Sequence, residues 1–343
     1  MRIGWYTQRR NPKHASARLR VHGPMAQLAA RGHECVFYDG GHSAEGLDCI
    51  VISKSFTRKA DKVMDRAQAA GVPVLYDMCD NLIAKARAES DKQTEARVIA
   101  GLQRAALITA PTPDLLARLA EQVAGVPLKV VPDMLENTDF LAGLPLSLLE
   151  RWRLTRLRRF LTRHDEALHC VWFGNSAGKH AGLVHVAERM SELEAFARSH
   201  PITLTIISDT WFAYRKVGAD FGIPSHYMSW SLAAFLPALR AHRVAVIPVG
   251  RSSFTLGKSI NRPATALRAG LGVVADALPA YEELRDFVAI DDWQGGLARY
   301  ACDWNDERER LAQGLAHIDA RYGDRAVADR WEEALQAAIP AHA

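Results

Sequence analysis

Short apolar runs alternate with amphipathic stretches along the chain. Runs at 2–6, 34–38, 48–52, 73–76, 107–110 and 128–131 read as strands. Helical spacing of apolar residues falls between most of them, at 18–31, 57–70, 89–103 and 112–124. This alternation predicts a parallel sheet covered on both faces. Gly71-Val72-Pro73 and Gly125-Val126-Pro127 mark helix exits into strands, because Gly ends the helix and Pro prevents its continuation. The pattern stops at 141–164, which is helical and Arg-rich. It restarts with strands at 169–173, 203–207, 244–249 and 272–275, and helices near 182–198, 232–241, 258–269 and 293–318. The expected fold is therefore α/β, with two doubly wound units at 1–140 and 166–323. A helical linker at 141–165 joins them. A last helix within 324–343 is placed to pack back on the first unit.

Composition agrees. The chain has 343 residues, 48% hydrophobic and 24% charged, which suits two globular domains at roughly 100–200 residues each. No apolar run reaches the ~18 residues of a membrane span. The first ten residues lack the apolar core of a signal peptide. Cys35, Cys49, Cys79, Cys170 and Cys302 are odd in number and form no CxxC. They are expected as buried thiols in a reducing cytoplasm.

The net charge of +4 is unevenly spread. Residues 1–140 carry net +3, 141–165 net +4 and 166–343 net −3. Seven basic residues precede the first acid, Glu34. A single-sign region beside a strand end suggests anionic partners.

In doubly wound sheets, ligands sit outside the carboxyl ends of the strands, so four loops matter: 7–17, 77–81, 174–179 and 250–257. In Gly257-Lys258-Ser259-Ile260-Asn261-Arg262, a Lys stands at an expected helix start. There unpaired N–H groups and the helix dipole favour an anion. Lys258 and Arg262, four apart, would share one face and neutralise much of a diphosphate without a metal. A P-loop is rejected, because Ser252 stands where its first Gly is required. Gly174-Asn175-Ser176-Ala177-Gly178-Lys179 is a second turn of this kind, although ordinary βα turns use the same residues. Arg18 and Arg20 can face a phosphate or carboxylate, or be solvated. Asp77, Asp80 and Asn81 can contact hydroxyls or take a proton. They can equally form an Asx turn; a Mg²⁺ site there is not favoured, and no metal ligand set stands out.

The stretch 151–163 is basic and amphipathic, with Trp152 and Arg159, and with Leu154, Leu157 and Leu161, near helical spacing. It reads as a linker helix docked through its stripe, or as a peripheral contact with an anionic membrane. Nucleic acid is disfavoured, since no reader motif accompanies the Arg run.

Gly257–Arg262 followed by Ala266-Leu267-Arg268-Ala269-Gly270-Leu271-Gly272-Val273-Val274-Ala275 resembles bacterial GT-B glycosyltransferases, most of all the nucleotide-sugar-dependent family 4 group. Ser16-Ala17-Arg18-Leu19-Arg20, Tyr76-Asp77, Asp80-Asn81, Thr109-Ala110-Pro111-Thr112, Trp172-Phe173-Gly174 and Ala328-Asp329-Arg330-Trp331 agree in order. The resemblance implies two Rossmann-like domains facing across a cleft and a C-terminal helix crossing back. It implies transfer of a sugar from a nucleotide-diphosphate donor, a UDP- or GDP-sugar, to a glycan, lipid-linked or other hydroxyl acceptor in bacterial polysaccharide or glycoconjugate synthesis. No other cofactor and no metal is required. The implied catalytic residues are Lys258, Arg262, Lys179 and Asp80. Gly174, Asn175, Ser176, Trp230, Gly257, Ser259, Asn261 and Thr265 are implied on the donor, and Arg18, Asp77 and Asn81 on the acceptor side. Gly257 and Thr265 stand where the family has two Glu, eight apart. A degenerate nucleotide-binding protein without transfer activity, or a nucleotide-sugar epimerase, is the alternative. The implied setting is cytoplasmic, or peripheral on the inner membrane face.

Overall fold

The structure, a computed structural model, describes residues 1–176, 182–218 and 221–339. Among the described residues two compact units are found. The first holds Met1–Leu135, Leu256–Ser259 and Asp319–Ala343; the second holds Glu136–Thr255 and Ile260–Ile318.

The first unit contains β1 (Arg2–Thr7), β2 (Glu34–Phe37), β3 (Cys49–Ser53), β4 (Val74–Asp77), β5 (Leu107–Ala110) and β6 (Leu128–Val130). They form one sheet in the order β2-β1-β3-β4-β5-β6, parallel throughout. Side chains alternate between its faces. Ile50 and Ile52 join the cluster of Tyr6 and Tyr76. Cys49 and Val51 join Ile3, Trp5 and Leu75 on the other face. The helix Asp324–Ala338 covers that second face with Trp331, Ala334 and Leu335. Trp331 is fully buried, its ring 5.1 Å from that of Trp5. The final helix therefore crosses back to complete the first unit's core.

The second unit contains β7 (Leu168–Gly174), β8 (Ile202–Ser208), β9 (Ser225–Ser229), β10 (Val244–Ile247), β11 (Gly272–Ala275) and β12 (Ala289–Ile290). Their order is β12-β11-β10-β7-β8-β9, again parallel. The sequence pattern missed β9 and β12. β9 is an edge strand, Ser-His-Tyr-Met-Ser, with only Met228 buried, so no apolar run announces it. β12 has two residues.

Several helices differ from expectation. The stretch 89–103 is interrupted by Ser90 at φ 56°. Asp91 then caps a separate helix, Lys92–Gln103. The stretch 293–318 is split into Trp293–Cys302 and Trp304–Tyr322. A short helix, Thr138–Ala142, runs into the start of the Arg-rich segment, which contains the helix Leu148–Thr162. A capping box of Ser147 and Glu150 opens the longer helix. Leu154, Leu157 and Leu161 are buried, so that stripe is used in packing within the second unit. Cys49 and Cys170 are buried and Cys35 and Cys79 half-buried, but Cys302 is exposed, contrary to the expected burial of all five.

Candidate functional site

Each sheet has one point where the chain reverses the direction in which it adds strands. Such switch points open a crevice at the carboxyl ends. In the first unit it lies between β1 and β3, and in the second between β7 and β10.

In the first unit, Asp77 ends β4 and is fully buried. Arg20 forms a two-pronged ion pair with it. Ser53 and Thr109 donate to the same carboxylate at 3.0 and 2.9 Å. Arg20 is also fully buried, donates to the Val131 carbonyl and stacks over Trp331. Burial opposes its charge, yet Asp77 and Asp133 outweigh that and raise its pKa. Asp77 is thus an internal counter-ion with its oxygens occupied, not an acceptor-side contact. Arg18 donates to the Pro12 carbonyl. Asn81 caps the helix Leu82–Ala88 through the Ala84 amide at 2.9 Å, which is the Asx alternative.

Asp80 is also buried, in the loop just past β4. Its carboxylate receives the ammonium groups of both Lys54 and Lys258. Burial works to raise the Asp80 pKa, but Lys258 and then Lys54 overcome it and hold it below the usual carboxylate range. Desolvation works to lower the Lys54 pKa, but Cys79 and Asp80 outweigh it and shift it up. Lys54 and Lys258 thus approach the two oxygens of one carboxylate. Lys54 is not among the residues that the sequence pattern singles out; its one sequence signal is a Lys just past the apolar run of β3, and the fold holds it at φ 44°.

Lys258 is not on a helix. The helix begins at Asn261, so the shared face expected for Lys258 and Arg262 does not exist. Leu256–Ser259 instead packs within the first unit. Thr112 donates to the Gly257 carbonyl at 3.2 Å, and Ser259 hydrogen-bonds Asp133. A Cβ at Gly257 would lie 3.1 Å from that of Leu115, so the glycine allows this close approach. Asp133, also absent from the sequence reading, has its pKa raised by burial despite Arg20 and Ser259.

In the second unit, Gly174 ends β7 at the switch point. A Cβ there would lie 2.7 Å from Nη2 of Arg262. Glycine therefore makes room for the guanidinium, which also stacks 5.7 Å above the Trp172 ring. Burial lowers the Arg262 pKa, with Tyr281 opposing. Asn175 is exposed. Ser176 is buried, and its amide and hydroxyl both bind Asp209, at 2.9 and 2.8 Å. That amide is therefore already paired. The Trp230 amide donates to the Ser208 carbonyl at 2.8 Å, and the Ser208 hydroxyl donates to Asp209. Thr265 is buried on the helix Asn261–Arg268 and donates to the Asn261 side chain at 3.2 Å. Lys179 lies outside the described residues.

Past β10, His185 packs against Gly250 and pairs with Glu188 at 2.6 Å. Asp276, past β11, accepts from the Val249 amide, Trp293 and Arg189 at 2.8, 3.0 and 3.0 Å. Neither group was singled out from sequence, where helix residues 185–189 carry no loop signature. Among the described residues no cluster of three His, Cys, Asp or Glu is placed to hold a metal ion.

Solved structures share this architecture. Anabaena Alr3699/HepE in complex with UDP-glucose matches with TM-score 0.69 at 13% identity, over 98% of this chain and 99% of that one. An E. coli trehalose-6-phosphate structure bound with UDP-2-fluoro glucose matches at 0.65 and 12%, over 98% of both chains. A UDP-forming trehalose-phosphate synthase from Burkholderia xenovorans matches at 0.62 and 11%, over 94% of this chain and 78% of that one. The chain has the GT-B fold. No protein-family model and no curated protein matches it. Gly257 serves close packing, and Thr265 is hydrogen-bonded inside its helix.

Proposed function

We propose that this GT-B chain is a glycosyltransferase that takes a sugar from a nucleotide-diphosphate donor and passes it to a hydroxyl acceptor. One observation carries the reading: the switch point of the second sheet presents Arg262 through the gap left by Gly174. The GT-B neighbours bound to UDP-glucose and to a UDP-glucose analogue support a UDP-sugar over a GDP-sugar. In this reading Arg262, with Lys179, meets the negative charge that grows on the leaving diphosphate, and no metal takes part. Fixed positive groups aimed at that charge stabilise the transition state, each contributing a few kcal/mol. Asn175, Ser176 and Trp230 would frame the nucleotide. The exposed Arg9, Arg10 and Lys13 after β1 would face an acceptor carrying negative charge, such as a lipid-linked or acidic glycan.

The test is a thermal-shift series with UDP, GDP and their sugars, followed by assay of UDP release. A true donor at 100 times its dissociation constant stabilises by ~2.7 kcal/mol. Stabilisation by a UDP-sugar that is lost in Arg262→Ala is the expected result. No shift with any nucleoside diphosphate or its sugars would overturn the donor site. One observation favours a second reading. The His185–Glu188 pair beside Gly250 is the kind of base a nucleotide-sugar epimerase requires. Incubation with donor alone separates the two, since only an epimerase converts it without acceptor.

A further inference from the structure

Eight large hydrophobic side chains are exposed among the described residues, and five of them belong to two helices of the second unit. Leu148, Leu149 and Trp152 open the helix Leu148–Thr162. Trp211 and Phe212 open the helix Trp211–Gly218. A groove of about 390 Å³ runs between these helices and edge strand β9, lined by Leu149, Trp152, Arg153, Arg156, Trp211 and Tyr214 among others. No carboxylate lines it. Arg156 stacks 4.9 Å over Trp152 and Arg215 5.4 Å over Trp211, so two guanidinium groups lie on the exposed rings. Lys216 adds a further exposed cation beside them.

Monomeric proteins rarely gather apolar side chains in this way without a partner. The charge selects an anionic one. Leu148 and Phe212 select a lipid surface over a glycan. They are 86% and 74% exposed and stand outside the groove lining. A sugar stacks on rings inside a groove and gains little from apolar tips that protrude outside it, whereas a bilayer takes them into its acyl boundary while the cations meet headgroups. The stripe that the sequence offered for this purpose, Leu154, Leu157 and Leu161, is buried.

We infer that the second unit docks on an anionic bilayer through the Trp152–Arg153–Arg156 and Trp211–Phe212 surface, not through the apolar stripe of the Arg-rich helix. Docking needs neither donor nor acceptor, so its failure would leave the transfer reading untouched, and the reverse also holds.

The test is flotation of the full chain with vesicles of equal parts phosphatidylcholine and phosphatidylglycerol, against phosphatidylcholine alone. Binding to the anionic vesicles only is expected, weakening as salt rises. Each basic residue near such a surface contributes about 1 kcal/mol, so Arg153→Ala/Arg156→Ala should weaken partitioning roughly 25-fold. Trp152→Ala/Phe212→Ala should weaken it at least about tenfold with an unchanged melting curve, since both side chains are largely exposed. Absence of vesicle binding, or wild-type binding by both double variants, would overturn the inference. So would tight binding to heparin through these residues without vesicle binding, which would assign the groove to an anionic glycan.

Discussion

The ammonium group of Lys258 sits on the carboxylate of Asp80, 178 residues earlier in the chain. Lys54 occupies the other oxygen, so one buried acid holds two cations. This pairing brings Leu256–Ser259 into the first unit, and it removes Lys258 from the helix-start role that its neighbours Gly257 and Ser259 suggest.

Asp80→Asn should leave two ammonium groups facing a neutral amide. Removing one partner of a fully buried pair costs about 3–5 kcal/mol. Both lysines retain some solvent, so a loss of about 2–3 kcal/mol in urea unfolding is expected. Lys258→Ala leaves Asp80 paired with Lys54 and should cost less. The Asp80 pKa is depressed in the fold, so its contribution is present above the unfolded value near 3.8 and lost as pH falls below it. Unfolding curves of Asp80→Asn should therefore lose part of the wild-type acid sensitivity below about pH 4.

Gly174→Ala should displace the Arg262 guanidinium, because the new methyl group would stand 2.7 Å from Nη2. The expected result is a donor dissociation constant raised at least about tenfold, equivalent to ~1.4 kcal/mol, in a protein whose circular dichroism is unchanged. Calorimetric titration with UDP reads it. Wild-type affinity would remove Arg262 from the donor site.

His242 supplies a pH dependence of stability. It is buried, its Nδ1–H donates to the Ala238 carbonyl at 2.8 Å, and Nε2 accepts from Thr205 at 2.7 Å. Burial depresses its pKa from 6.5 to about 4. A group whose folded pKa is depressed contributes stability above its unfolded pKa and loses it as pH falls toward the folded one. Stability should therefore drop between pH 6.5 and 4, by up to about 3 kcal/mol from this group at 1.36 kcal/mol per unit. Unfolding at pH 7 and pH 5 should show a shallower slope in His242→Gln.

Trp331→Ala should cost about 3–5 kcal/mol, as expected for a large aromatic side chain removed from a packed core. It touches Trp5 and carries Arg20 over its ring. Hydrogen exchange should then show the loss of protection concentrated in β1, β3 and the helix Asp324–Ala338.

Strands such as β5 were legible with exact bounds, because four consecutive buried residues need an apolar run. The last helix was equally legible, since Val327, Trp331, Ala334 and Leu335 repeat at helical spacing. β9 was not, because an edge strand with one buried residue has no apolar signature. Within the candidate site, Gly174 and Arg262 were visible as types, but not their contact with one another.

The two-sheet α/β architecture and the returning helix follow from the chain's own pattern, because burial is written locally in the spacing of apolar residues. Which charges meet is settled by the folded arrangement. Arg20 finds Asp77 at a separation of 57 residues, and Lys258 finds Asp80 at 178. Periodicity records which face of an element is dry. It does not record which distant carboxylate the fold brings to that face, and that encounter sets whether a cation binds a ligand or holds the protein together.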